Sequence, residues 1–363
     1  MTIALYDLLE QTRRRAIDSR TSLADIHIEP DGESVAVRGQ VLDRATAERL
    51  MRALRAQAPT INWRDDMQTL VTGPDYHWAL LTRPVADLRR EPSHRAERVT
   101  QALLGEALET LRVQGAWTLV RLSDGYLGWL FTGYDSAPLA LCHAEQAQAY
   151  RQQATHLVTH PLAPFYAHPS GEAQDQVGLL PFGVRVQVIG QDGALQRVRW
   201  PDGTLRWIGS ADLLPLAALA PRCHAGLRQA LDWAQRLIGV PYLWGGKTPF
   251  GYDCSGLTQT LFGLIGIDLP RDADQQAERG TPVALDALAC GDLLFFGDPA
   301  DAQHQRPSRV THVALALNRH EFLDASRSGG GVAIRSLDPR SPIYAGATAP
   351  TLLFARRYFP HEA

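Results

Sequence analysis

The sequence predicts an α+β protein: a C-terminal domain of helices followed by an antiparallel sheet, preceded by two small β-barrels and a small N-terminal α+β unit. Three observations predict it. Apolar residues first recur at helical period, in "LRQALDWAQRLIG" and "CSGLTQTLFGLIG", and then at strand period through "DLLFFG", "THVALALN", "EFLDAS", "GVAIRSL" and "TLLFARRYF". Between about residues 73 and 216, short apolar runs are separated by Gly, Asp and Ser turns. Ahead of them, a hairpin pattern is followed by a helical one. A chain of 363 residues is also too long for one core, so two to four domains are expected.

The N-terminal unit spans residues 1–72. Ile3, Leu5, Leu8 and Leu9 suggest a short helix. "DIHIEPDGESVAVRGQVL" alternates on both sides of Pro30-Asp31-Gly32, the signature of a hairpin. "DRATAERLMRALRAQ" carries apolar residues at 47, 50, 51 and 54, the spacing of a second helix. No catalytic cluster appears, and His27, in a predicted strand, reads as structural. The first barrel is expected at 73–145 and the second at 150–216. Each holds an aromatic strand after an Asp-Gly turn, "SDGYLGWL" and "PDGTLRWI", and the match of Trp129 to Trp207 suggests a diverged repeat. "LAALAPR" at 216–222 is the entry linker to the last domain, 222–360. There Leu227, Leu231, Ala234 and Ile238 share a helix face that Gly239 and Pro241 end, and Leu257, Leu261 and Leu264 or Ile265 share the next.

Composition excludes several functions. The net charge of -3, with 45% apolar and 21% charged residues, gives no reason to expect nucleic acid or an anionic membrane as partner. No stretch approaches a membrane span; "LLPLAALA" is far too short. Cys142, Cys223, Cys254 and Cys290 are unevenly spaced with no C-x-x-C, so neither a disulfide framework nor a zinc site is expected. No metal or cofactor is expected. "MTIALYDLLEQTRRRAIDSR" lacks the layout of a signal peptide, and the expectation is a reducing cytoplasm with free thiols.

The chemistry concentrates around Cys254. A cysteine nucleophile needs thiolate character, a base, and a group that orients the base. Cys254 follows a candidate N-cap, Asp253, and opens a helix whose unpaired N–H groups favour an anion. His312 shares a strand face with Ala314 and Ala316, small residues that leave room for the Cys254 helix against that face. Asp324 follows across an "NRHE" turn, placing it beside His312 on the neighbouring strand. Accepting from Nδ1–H, it would leave Nε2 facing the thiol. Taken singly, each has an ordinary reading: a buried cysteine, a strand histidine, an aspartate paired with Arg327. The joint pattern is the informative one.

These residues resemble a family. "VPYLWGGKTPFGYDCSGLTQTLF", "LPRDADQQ", "GDLLFF", "THVALAL" and "EFLDAS" resemble, in order, the motifs of the NlpC family of papain-like cell-wall cysteine peptidases, over about 225–358. "LRREPSHRAERVTQALLGE" and "SDGYLGW" resemble the bacterial SH3-like barrels of its γ-D-glutamyl-L-diamino acid endopeptidase branch. The resemblance implies a papain-like domain behind two SH3-like barrels, acting without a metal on peptidoglycan stem peptides with a free N-terminal L-alanine, in murein recycling. It implies Cys254 as nucleophile, His312 as base and Tyr242 as an oxyanion donor beside the Cys254 N–H. The third polar residue is usually a histidine in this branch, and Asp324 stands in its place. Glu91 and Asp253 are implied as ammonium ligands, with Tyr126 closing the pocket against N-acylated stems. Arg271, Asp272 and Ser255 are implied on the substrate carboxylate, and Trp244 lines the cleft or packs. Cys290 takes a place where the family often has proline and reads as structural. His304 and His320 fall in turns; "GDPADAQHQRPSRVTH" holds a polar loop that would rim the cleft. Two rival readings share these features: a non-catalytic module that binds wall peptide, and a Cys/His acyltransferase.

Overall fold

A computed structural model describes residues 2–71, 78–135, 138–220, 223–301 and 308–359. His304 and the rest of 302–307 in its polar loop lie outside these residues. The chain divides into two compact units: Met1–Leu81, Leu88–Glu97 and Glu106–Ala149 form the first, and Thr82–Asp87, Arg98–Gly105 and Tyr150–Ala363 the second. Parts of the range 73–145 therefore fall in each.

The first unit begins with helix Thr2–Ala16 and the hairpin Ala24–Asp31 with Ser34–Val41, closed by the pair Asp31↔Ser34. Asp43 caps helix Arg44–Gln57, accepting from the Thr46 N–H, and the helix buries Ala47, Leu50, Met51 and Leu54. It crosses over to strand Asn62–Thr69, which pairs parallel to Ser34–Val41. That strand reads "NWRDDMQT", too polar to betray itself by hydropathy; Asp65 and Asp66 pair with Arg44 and Arg38. Further along, strands Trp117–Arg121 and Leu127–Phe131 make a hairpin around 122–126. Within the second unit, Leu195–Arg199 and Leu205–Gly209 make one around 200–204. Both loops contain Asp-Gly, with Gly125 and Gly203 at φ 87° and 83°, a left-handed turn that favours glycine. Trp129 faces Leu119, and Trp207 faces Arg197. The second unit's barrel strands enclose Ala163, Phe165, Leu180, Val186, Val198 and Ile208.

In the C-terminal domain, six antiparallel strands run in the order Thr281–Val283, Leu352–Arg357, Leu293–Asp298, Arg309–Ala316, Glu321–Ser326 and Gly331–Ser336. Helices His224–Ala234 and Cys254–Leu264 bury Leu227, Ala230, Leu257, Leu261 and Phe262 in one core with Leu293, Phe295, Val313, Leu315, Leu323 and Ala325. Ile238, expected on the first helix's inner face, lies past the helix end and is exposed. The other sheet face packs Leu294, Phe296, Ala314, Ala316 and Phe322 into a second cluster. Contrary to expectation, the alanines therefore do not make room for the Cys254 helix; that helix lies against the Val313 and Leu315 face. The strand is irregular at its entry: pairing steps from Phe296↔His312 to Gly297↔Val310, leaving Thr311 as an extra residue. Such a bulge bends a strand and re-aims its side chains, and it sits directly beside His312.

Candidate active site

The lead-in to the Cys254 helix is fastened at several points. Asp253 N–H donates to the Gly246 carbonyl at 3.0 Å. Its carboxylate accepts from Gly256 N–H at 2.7 Å and from Gly245 N–H at 2.9 Å. The first bond is the N-cap that fixes where the helix starts, and so fixes Cys254 as its first residue. A Cβ on Gly256 would come within 2.2 Å of the Gly246 carbonyl oxygen, so no other residue fits there without displacing the loop. The Cys254 sulfur consequently stands at the helix's N-terminal mouth, where orphan N–H groups and the helix dipole favour a negative charge.

His312 is hydrogen-bonded to both Cys254 and Asp324. Its Nε2 lies 3.0 Å from Asp324 Oδ2, which leaves Nδ1 for the thiol. This reverses the expected use of the two nitrogens. The expected order assumes that the two residues stand directly opposite; the pairs Leu315↔Leu323 and Ala316↔Phe322 show that His312 and Asp324 do not. Burial by itself pulls the imidazole pKa down. The Cys254 thiolate, then the Asp324 hydrogen bond, more than offset it, and the group is pushed up to about 10. The arrangement thus favours the protonated imidazole of His312 beside the Cys254 sulfur.

Asp324 is 1% exposed, and a buried carboxylate needs partners. Sequence adjacency suggests Arg327. The structure supplies Arg335, from the next strand, with Nε 3.2 Å from Asp324 Oδ1. Arg335 also bonds Ser326 Oγ, and a Cβ on Gly329 would sit 1.6 Å from its Nη2. The turn can cover the guanidinium only because residue 329 has no side chain. No sequence signal singles out Arg335; only the pairing of Glu321–Ser326 with Gly331–Ser336 brings it there.

Tyr242 is held between Pro241, bridged to Gly331, and its own bridge to Tyr252. Burial raises its hydroxyl pKa, and the charges of Cys254 and Asp253 add to this, so the hydroxyl remains a donor. Arg327 lies over the Tyr242 ring at 5.5 Å and over the Trp244 ring at 6.0 Å. Trp244 is exposed rather than packed into the core.

The residues expected on the substrate carboxylate are placed differently. Arg271 is 1% exposed and pairs both ends of its guanidinium with Asp253, at 3.0 and 2.6 Å. It also donates to Ser255 Oγ at 3.0 Å and Thr100 Oγ1 at 2.8 Å. Its charge is thus matched inside the protein, which removes the basis for reading it as the direct carboxylate ligand. Asp253, expected on the substrate ammonium, is matched by the same pair and by the two backbone donors. Asp272 caps helix Ala273–Ala277, its N–H donating to Gln275 Oε1 at 3.4 Å. Two further residues, inside the quoted motifs but not singled out as site residues, complete the network. Gln276 bonds the Ser255 and Pro270 carbonyls at 3.2 and 2.8 Å, and Gln101 accepts from Lys247 N–H at 3.0 Å. In the first unit, Glu91 is exposed and Tyr126 is buried, its N–H bonded to Asp124. Among the described residues, no group of three His, Cys, Asp or Glu side chains is arranged to hold a metal. Nor is any helix among them long and apolar enough to cross a membrane.

Comparison with known proteins decides the family of the domain that holds these groups. Residues 239–345 match the NlpC/P60 family. The chain carries an NlpC/P60 domain. Residues 88–132 match the bacterial dipeptidyl-peptidase Sh3 domain. With a thiol–imidazole–carboxylate chain inside it, the NlpC/P60 domain is a cysteine peptidase. The chain is 28% identical over 271 residues to the gamma-D-glutamyl-L-lysine dipeptidyl-peptidase of Bacillus cereus, covering 72% of this chain and 75% of that protein. It is 27% identical to dipeptidyl-peptidase 6 of Lysinibacillus sphaericus, covering 76% and 97%. The solved structure of an NlpC/P60 family protein from Bacillus cereus shares the fold, with a TM-score of 0.64 at 23% identity, over 78% of this chain and all of that one.

The raised imidazole pKa gives a test within the NlpC/P60 domain. An imidazolium held up to about 10 loses its proton only on the basic limb of the pH profile of kcat/KM. Asp324→Asn keeps an acceptor for Nε2 but removes the charge, so that limb is expected to move to lower pH. Each unit of movement corresponds to about 1.4 kcal/mol, or tenfold. The linked stability has the same sign: a raised histidine contributes below its unfolded pKa and loses that contribution as pH rises through its folded one. An unmoved basic limb in Asp324→Asn would show that Asp324 does not act on His312.

Proposed function

We propose that this protein is an endopeptidase that cleaves the γ-D-glutamyl–diamino acid bond of peptidoglycan stem peptides bearing a free N-terminal L-alanine. The observation that carries the reading is the imidazole of His312, hydrogen-bonded at once to the helix-start thiol of Cys254 and to buried Asp324. In it, the Cys254 thiolate attacks the γ-glutamyl carbonyl, and the Cys254 N–H and Tyr242 hydroxyl receive the developing oxyanion. His312 gives its proton to the leaving amine as the C–N bond breaks, leaving a thioester. Water then attacks the thioester while His312 takes its proton, and the thiolate returns. Asp324, with Arg335 behind it, orients the imidazole and stabilises its charge. The names of the relatives from Bacillus cereus and Lysinibacillus sphaericus support a dipeptidyl-peptidase reading.

A required free amine restricts the substrate to stem peptides already detached from the sugar, which is the reason to place the activity in recycling. Incubation with L-Ala-γ-D-Glu-diamino acid tripeptide and with its N-acetyl form tests this. Release of L-Ala-γ-D-Glu from the first at a rate well above the second is expected. Equal rates would end the free-amine requirement, with the ammonium role implied for Glu91 and the pocket-closing role implied for Tyr126. Absence of product from both would remove the hydrolase reading.

A further inference from the structure

Charges around the Cys254 thiol come in pairs. Cys254 is matched by His312, Asp253 by Arg271, and Asp324 by Arg335. Arg327 breaks the pattern. It is exposed, it lies over the rings of Tyr242 and Trp244, and among the described residues no carboxylate pairs with it. Its charge acts on the Tyr242 hydroxyl, which in turn feels the Cys254 charge. The backbone beneath it is fixed: Gly330 N–H closes the turn onto the Arg327 carbonyl at 3.1 Å, and Ser326 and Ser328 on either side engage Arg335. A cation stacked on two aromatic faces is held in place with its N–H edges outward, which suits a planar anion such as a carboxylate.

We infer that Arg327 binds a carboxylate of the leaving diamino acid and so sets which diamino acid the enzyme accepts. The side follows from the sheet. Arg327 follows directly on the strand Glu321–Ser326, which carries Asp324, the partner of His312. The guanidinium therefore emerges on the histidine side of the thiol, from which the leaving amine takes its proton. Asp253, Ser255 and Arg271 gather instead about the start of the Cys254 helix. An unmatched cation there attracts a leaving residue that carries carboxylate and repels one whose only charge is an ammonium.

This inference rests on the hydrolase reading above, and the test separates the two. The kcat/KM of wild type and Arg327→Met is measured on L-Ala-γ-D-Glu joined to diaminopimelate, to L-lysine and to L-lysine amide. With L-lysine amide, which offers no carboxylate after the scissile bond, the two proteins are expected to be equal. With diaminopimelate the variant is expected to lose roughly 10- to 100-fold, the effect of a charge-assisted hydrogen bond. Loss confined to diaminopimelate assigns the contact to the side-chain carboxylate and supports selection of the diamino acid; the same loss on L-lysine assigns it to the main-chain carboxylate and overturns that selection. An unchanged rate on diaminopimelate, or an equal loss on L-lysine amide, overturns the role of Arg327 and leaves the hydrolase reading intact. If wild type cleaves none of the three, the hydrolase reading itself fails.

Discussion

Cys254→Ala is expected to lower kcat/KM on the tripeptide by about 10⁵- to 10⁶-fold, the scale on which a covalent enzyme loses its nucleophile. The size follows from how the site divides its labour. His312, Asp324 and Arg335 all act through the thiol, so removing the sulfur disables the set, and what remains is binding and the oxyanion donors. The fold is expected to stand: the helix is started by Asp253, not by Cys254, and alanine suits a first helical turn. A second readout follows from charge. Without the thiolate, His312 keeps burial, which lowers its pKa, and loses the largest of the effects that raise it. Its titration, followed by NMR in the variant, should move to lower pH. Retained turnover would exclude Cys254 as nucleophile, and an unmoved His312 titration would exclude the ion pair.

The elements of the C-terminal domain were legible in the sequence because each depends on local pattern. Helical period around Leu257 and Leu261, alternation through Val313 and Leu315, and an Asp-Cys-Ser-Gly helix start are properties of neighbouring residues. The grouping of Cys254, His312 and Asp324 was legible too, since one hairpin brings the last two together. What escaped depends on register and on distant chain. Thr311 is one extra residue in a strand, and no pattern announces it, yet it stands beside the histidine whose nitrogens are used in the reverse of the expected order. Two arginines near Asp324 in sequence are indistinguishable there. Pairing of two strands gives Arg335 to the carboxylate and leaves Arg327 over the aromatics. Likewise, the motif around Arg271 reads as a surface for substrate until Thr100, some 171 positions away, and Asp253 are seen to enclose the guanidinium.

That enclosure gives the largest expected loss of stability. Arg271→Met should destabilise the second unit by about 3–5 kcal/mol, the usual result of removing one member of a buried ion pair. The cost arises from what remains. Asp253 would be left buried without its cation, with the Gly245 and Gly256 N–H groups and the Ser255 hydroxyl as its partners among the described residues. The apparent Tm is expected to fall by roughly 6–20 °C at ~2–4 °C per kcal/mol. Removing both charges is expected to recover only part of this. A paired apolar replacement is often neutral when the two ions serve only each other, but Asp253 is also the N-cap, itself worth about 1 kcal/mol. In Arg271→Met/Asp253→Leu the two backbone donors lose their acceptor and the start of the Cys254 helix is no longer specified. The double variant should therefore unfold between Arg271→Met and wild type, while its activity falls below that of either, because the position of the sulfur depends on that cap. Thermal and chemical denaturation of the three proteins check the order. A double variant as stable and as active as wild type would mean that the pair serves only itself and does not position the nucleophile.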